Sequence, residues 1–250
     1  MGRFFTAPRR FFSTTPGEGV ETVFHDVPCP ALAGMKLAFF SDIHASAHFS
    51  DAALEAFFAR VAALEADIVC IGGDFAEDEG SLARLLHFFP LLSSPLGVYA
   101  CLGNNDRELP GFARMLEGHA HLLVNESVLL EGLRLGGVDE RKHGHPRPEA
   151  VFPHDGASER VLLAHYPVAC DFGAGARPDL QLSGHTHGGQ CNVLGISPYT
   201  FFFEPFSHAW ISGECTLGGV RTIVSNGIGM SRVTLRVGAP PQVHCIRFTV

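Results

Sequence analysis

A chain of 250 residues, 46% hydrophobic and 18% charged, can bury a sizeable core, which excludes a disordered polypeptide. Its net charge of −8, with no long basic block, disfavours a nucleic-acid backbone as partner. No stretch reaches the ~20 apolar residues of a membrane-spanning helix, and seven scattered cysteines without a CxxC pair read as small buried residues of a reducing compartment.

The chain opens MGRFFTAPRRFFSTTPGEG. Polar STTPGEGVE follows Arg9-Arg10-Phe11-Phe12 where an export signal needs an apolar segment, so export is not expected. Phe4, Phe5, Phe11 and Phe12, interleaved with Arg3, Arg9 and Arg10, suit either a locally docked terminus or contact with an anionic membrane surface. KLAFFSD (36–42) then reads as a buried strand. In DAALEAFFARVAALEA, Leu54, Phe57, Phe58, Val61 and Leu64 recur at helical spacing, with Ser50 or Asp51 as cap. DIVCIGGD (67–74) reads as a second buried strand, SLARLLHFFPLL as a helix stopped near Pro90, and GVYACLGNND as a third strand with a turn. A helix is expected around 111–117. This alternation predicts a parallel sheet with crossover helices. From His121 onward, short strands and tight turns predict a more antiparallel half, with three strands in the tail.

Polar residues stand at the end of nearly every predicted strand. They are Asp42 and His44, Gly72-Gly73-Asp74, Gly103-Asn104-Asn105-Asp106, His165, and Gly184-His185-Thr186-His187-Gly188-Gly189. Sites of open α/β sheets lie beyond the carboxyl ends of the strands, so these ends converge on one pocket. Carboxylate, amide and imidazole donors without thiolates suit divalent Mn, Fe or Zn rather than a structural zinc site. They are too many for one ion and suit two ions bridged by a shared carboxylate, about 3.5–4 Å apart.

Taken in order, DIH, GGD, GNND, His165 and GHTHGG resemble the five-motif signature of the calcineurin-like metallophosphoesterases. The resemblance runs from Lys36 to the C-terminus. It implies a four-layer αββα sandwich, the metallo-dependent phosphatase fold, as a single domain over 35–250, after an N-terminal extension over 1–34 that holds a candidate first strand. Within the family, SGHTHGGQ, GGVDE and SNGIGMSR with PPQ resemble the bacterial YkuE/YaeI subgroup, and UDP-diacylglucosamine hydrolases are more distant relatives. Carried over by motif, Asp42, His44 and His187 hold one metal ion, Asn104, His165 and His185 the other, and Asp74 bridges them. The chemistry so implied is attack of a metal-bound hydroxide on phosphorus.

One position departs from that pattern. The usual fourth motif is GNHD, whose histidine can protonate the leaving group while the following aspartate orients it. Here that place is Asn105, followed by Asp106. An amide is no general acid near pH 7, and general acid catalysis is typically worth about 10²–10⁴-fold. The expected substrate is therefore a phosphodiester or pyrophosphate, nucleotide or lipid-linked, rather than an alkyl monoester. His143 and His145, beside Arg141 and Lys142, are candidates for contact with phosphate, and His48 is another. Phe201, Phe202, Phe203 and Phe206 in YTFFFEPFSHAW are read either as a groove for acyl chains or as packing of the second sheet. The resulting expectation is a cytoplasmic enzyme, peripheral to the inner face of the membrane, that acts on a phosphoester small molecule or lipid-linked substrate. The alternative is a non-catalytic metal-binding member with a regulatory role. A nuclease is disfavoured by the acidic balance.

Overall fold

The computed structural model describes residues 11–193, 196, 197 and 210–250. The phenylalanines and arginines of residues 1–10, and Phe201, Phe202, Phe203 and Phe206, lie outside the described residues. In chain order the elements are β1 (Phe12–Ser13), β2 (Glu21–Pro28), β3 (Lys36–Phe40), α1 (Asp51–Ala62), β4 (Ile68–Ile71), α2 (Glu79–Leu86), β5 (Val98–Ala100), α3 (Asn104–Glu108) and α4 (Phe112–Leu116). There follow β6 (His121–Leu122), β7 (Glu126–Leu130), β8 (Leu133–Gly137), β9 (Glu159–Leu163), β10 (Leu180–Ser183), β11 (Gly213–Leu217), β12 (Val220–Val224), β13 (Arg236–Val237) and β14 (Gln242–Thr249).

The first half folds as its periodicity predicts. Ser50 caps α1 by accepting from the Ala53 N–H, and Leu54, Phe57, Phe58 and Val61 form the buried stripe. Asp78 caps α2 through the Ser81 N–H, so this helix begins two residues before its apolar run. The LGNND segment is more than a turn: Gly103 is the N-cap and Asn104 the first residue of helix α3.

Two six-stranded sheets result, ordered β2-β14-β3-β4-β5-β6 and β11-β12-β10-β9-β8-β7. In the first, β3 to β6 are parallel, and β14 runs antiparallel to β3 but parallel to β2. The candidate strand of the N-terminal extension is thus an edge strand of this sheet. The second half is less antiparallel than expected. Its four inner strands, β12, β10, β9 and β8, are parallel, and only β11 and β7 at the edges run antiparallel. The reason lies in burial on both faces: Leu163 points between the sheets while Leu162 packs outward, and buried apolar runs of this kind are what parallel strands need.

The sheets stack face to face. Leu37, Phe39, Ile68 and Cys70 of the first meet Leu135, Val161, Leu163 and Leu182 of the second. Alternate residues Ala38 and Phe40 turn outward beneath α1, α2 and α4, where Phe57, Phe58, Leu85 and Phe112 complete an apolar layer. The outer face of the second sheet is covered by Val151 and Phe152, which follow a 3-10 turn at Pro148–Ala150, and by Phe172 and Ala176 of the connection between β9 and β10. All seven cysteines are free. Among the described residues no helix is long and apolar enough to cross a membrane. The consequence of this topology is positional: β3, β4, β5, β9 and β10 all end on the same side.

Candidate metal centre

The loops after β3 and β4 run alongside each other. Asp42 N–H donates to the Gly73 carbonyl at 2.9 Å and His44 N–H to that of Asp74 at 3.1 Å. Glycines permit this crowding. A Cβ on Gly103 would lie 2.1 Å from Asp74 Oδ1, so only glycine lets the third loop close on the second. Non-glycine strain collects at the same place: φ is +52° at Asp42, +45° at His44, +56° at Asp74, +70° at His185 and +53° at His187. Left-handed backbone costs on the order of 1–3 kcal/mol per residue and persists only where the surroundings enforce it.

Two groups of donors form there. Asp42, His44 and His187 present ligand atoms within 4.8 Å of one another, and so do Asp74, His165 and His185. Facing imidazole nitrogens are 3.1 Å apart in the first group, His187 Nε2 to His44 Nε2, and 3.3 Å apart in the second, His185 Nδ1 to His165 Nε2. Asp74 Oδ2 stands 3.5 Å from His44 Nε2 and 3.4 Å from His165 Nε2, so one oxygen faces a histidine of each group. In His44 and His165 the other ring nitrogen faces an acceptor. His44 Nδ1 meets Glu77 Oε1 at 2.5 Å, and His165 Nδ1 meets the Gly72 carbonyl at 2.7 Å. A proton held on Nδ1 leaves the Nε2 lone pair aimed inward, as a ligating imidazole requires. The residues therefore fit a pair of divalent cations.

A sequence model of the calcineurin-like phosphoesterases matches residues 35–189. The chain belongs to the calcineurin-like phosphoesterase family. That family normally carries a dinuclear metal centre, and this chain has two His/Asp groups that could hold metal ions. Among relatives, a transmembrane protein with metallophosphoesterase domain from Bos taurus is 29% identical over 90% of this chain, which spans only 55% of that protein. The uncharacterized metallophosphoesterase YkuE of Bacillus subtilis is 26% identical, covering 90% of this chain and 84% of its own. The phosphodiesterase YaeI of Escherichia coli is 27% identical, covering 84% and 81%.

Electrostatics divide the histidines of this site, favouring the charged form of His165 and the neutral forms of His185 and His187. Burial alone would depress His165, but the Asp74 carboxylate outweighs it and holds its pKa up at about 10. Burial likewise opposes the charge on Asp74, yet His165 and His44 and the Asn105 N–H keep its pKa low. His185 is driven down to about 3 by burial, then by the charges of His165, His44 and Lys142, which the Asp74 carboxylate only partly opposes. Burial and His44 also push His187 well below the ordinary histidine range, with Arg236 adding to the effect.

The third loop places its residues differently from one another. Asn104 and Asn105 line the same cavity as Asp74 and His185. Asn104 Oδ1 accepts from the Tyr166 hydroxyl at 3.4 Å, and Tyr166 stacks 3.9 Å over His185. Asn105 Oδ1 accepts from Asn104 Nδ2 at 2.8 Å, while its Nδ2 lies 3.3 Å from Glu77 Oε1. Asp106 does not touch the Asn105 side chain. Its carboxylate accepts from the backbone N–H groups of Asp74, Phe75 and Gly103, which pins the second loop to the third.

The cavity over these groups has a volume of about 550 Å³, and Lys142, Gln190, Arg232 and Val233 form part of its wall. His143, His145 and His48 are exposed and do not line it. His143 Nε2 instead pairs with Glu108 Oε1 at 2.9 Å, and the His145 N–H donates to Asp139. Sequence reasoning missed Glu77, Tyr166 and Arg236. Arg236 is fully buried and donates to the carbonyls of His187, Asn226, Gly229 and Ala239, which ties the tail to the last histidine motif. Its local sequence, TLRVGAP, carries no signal of this role. Glu77 stands three residues after Asp74, a spacing that carries no general meaning.

Proposed function

We propose that this family member is a metal-dependent hydrolase of a phosphodiester or pyrophosphate bond. The supporting observation is Asp74 Oδ2, within 3.5 Å of one histidine from each donor group, above a site whose acid position is the amide of Asn105. In this reading Asp42, His44 and His187 hold one divalent ion, Asn104, His165 and His185 the other, and Asp74 is shared. Mn²⁺, Fe²⁺ or Zn²⁺ in these positions would supply Lewis acidity towards phosphoryl oxygens and a nucleophile from water at neutral pH.

Asn105 stands over the site without a proton to give. A sugar or serine alkoxide then leaves slowly, whereas a phosphate or phenolate leaves unaided. Nucleotide and lipid-linked phosphoesters, met in the cytoplasm or at the inner membrane face, fall in this class. Exposed Val233 on the cavity wall supports an apolar substrate portion. In this reading His143 and His145, which do not line the cavity, act only through the loop that carries Lys142.

The test is hydrolysis of bis(p-nitrophenyl) phosphate with added Mn²⁺ by the wild type and Asp74→Asn. The wild type is expected to turn over the diester. The variant should lose more than the about 10- to 100-fold that removal of an outer partner costs. Fast hydrolysis of alkyl monoesters without diesterase activity would overturn the diester assignment. A metal-replete wild type inert towards every phosphoester would favour the regulatory reading.

A further inference from the structure

We propose that Lys142 binds an anionic group on the leaving fragment, so that the preferred substrate is a diphosphodiester whose departing half is itself a phosphate. The inference rests on the phosphoesterase reading above and goes beyond it in naming the residue and the leaving-group chemistry.

Two needs meet at this lysine. The acid position is occupied by Asn105, both ends of whose amide are engaged, by Asn104 and by Glu77. The leaving group must therefore depart as an anion, and something must receive its charge. The cavity, at about 550 Å³, is of the size that holds a whole small molecule rather than a lone phosphoryl group. Lys142 lines it together with Asp74, Asn105 and His185.

The loop that carries Lys142 is built rather than loose. The buried Glu140 carboxylate accepts from the backbone N–H of Lys142 and from that of His143 at 2.7 Å. Asp139 accepts from Glu140 N–H at 2.8 Å and His145 N–H at 2.9 Å. His143 then docks the loop on α3 through Glu108, 2.9 Å away, and Arg107 approaches Asp139 at 3.6 Å. Lys142 is held between these anchors, and among the described residues its ammonium has no ion-pair partner. A compact cation on a cavity wall, carried by an anchored backbone, is a point-charge receptor for phosphate.

The chemistry balances without a further reactant. Water gives its oxygen to one phosphorus and releases a proton to solvent. The bridging P–O bond breaks, and its electron pair departs with the second phosphate. That fragment needs no proton, because a phosphomonoester has a second pKa of about 6.

The experiment compares wild type, Lys142→Ala and Lys142→Arg, each loaded with Mn²⁺. Calorimetry measures affinity for methylenediphosphonate and for orthophosphate, and kinetics compare ADP-ribose with bis(p-nitrophenyl) phosphate. Lys142→Ala should lose at least about tenfold more affinity for the diphosphonate than for orthophosphate, the equivalent of 1.4 kcal/mol. The kcat/KM ratio of ADP-ribose to the aryl diester should fall by a similar factor, and Lys142→Arg should restore most of both. Equal losses for both ligands would place Lys142 at the scissile phosphate and overturn the proposal, as would no loss at all. A wild type that discriminates between the ligands but hydrolyses neither substrate would sink the phosphoesterase reading and leave the anion site standing.

Discussion

His44 turns its Nε2 towards Asp74 because Glu77 holds the other ring nitrogen at 2.5 Å. The same Glu77 oxygen lies 3.3 Å from the Asn105 amide, so one carboxylate orients a metal-ligand candidate and the residue at the acid position. Glu77→Gln keeps the shape but replaces a charged acceptor with a neutral one. On the proposed assignment it should weaken Mn²⁺ binding about 10- to 100-fold, the usual effect of losing a histidine's outer carboxylate. Equilibrium dialysis with Mn²⁺ reads this directly, and unchanged affinity would remove Glu77 from the metal site. Asp106 is a contrasting residue. Its motif position suggested an orienter of residue 105, whereas its three backbone acceptor bonds make it a clamp between loops.

At the scale of elements, the site is made by loops that cross at strand ends. Gly103 caps α3 in an extended conformation that any residue can adopt, with φ at −93°. Its constraint is the approach of Asp74 rather than its own dihedral. Gly103→Ala should therefore force Asp74 and its loop apart. Overpacking of this kind costs about 1–3 kcal/mol, and each kcal/mol lowers Tm by about 2–4 °C in a chain of this size. Thermal melting in the presence of chelator checks the stability cost apart from metal. A wild-type Tm would show that the loop yields without strain. His143 and His145 belong to a loop anchored by its own hydrogen bonds, and of this loop Lys142, rather than either histidine, lines the cavity.

For the whole molecule, the two sheets are joined by more than apolar contact. His25 of β2 meets His244 of β14 at 3.0 Å and Glu214 of β11 at 2.6 Å, so a polar chain links the sheets along one edge. Another charge works against the fold. Burial and the nearby Asp179 carboxylate push the pKa of Glu159, at the start of β9, up to about 7. The folded state then binds more protons than the unfolded chain between the usual value of 4.5 and about 7. Stability falls as pH rises through that window, and the penalty is full above it. Glu159→Gln should remove the penalty. Because Glu159 is only partly buried and screened by solvent, the gain is on the order of 1 kcal/mol. This corresponds to a Tm rise of about 2–4 °C at pH 8, with none at pH 4. Equal gains at both pH values would assign the effect to packing instead.

The ordered ligand motifs, the strands that precede them, the crossover helices of the first half and the departure at Asn105 are all legible in the order of residues alone. These are local properties: strand ends, glycine turns and apolar periodicity are written in adjacent residues. Only the tertiary structure decided that the inner strands of the second sheet are parallel, that Asp106 clamps backbone, and that Glu77 and Arg236 support His44 and His187. Each of those depends on residues far apart in the chain meeting at one end of the stacked sheets. Lys142 belongs with them, since its backbone is anchored by Glu140 in a loop that His143 docks on the distant Glu108.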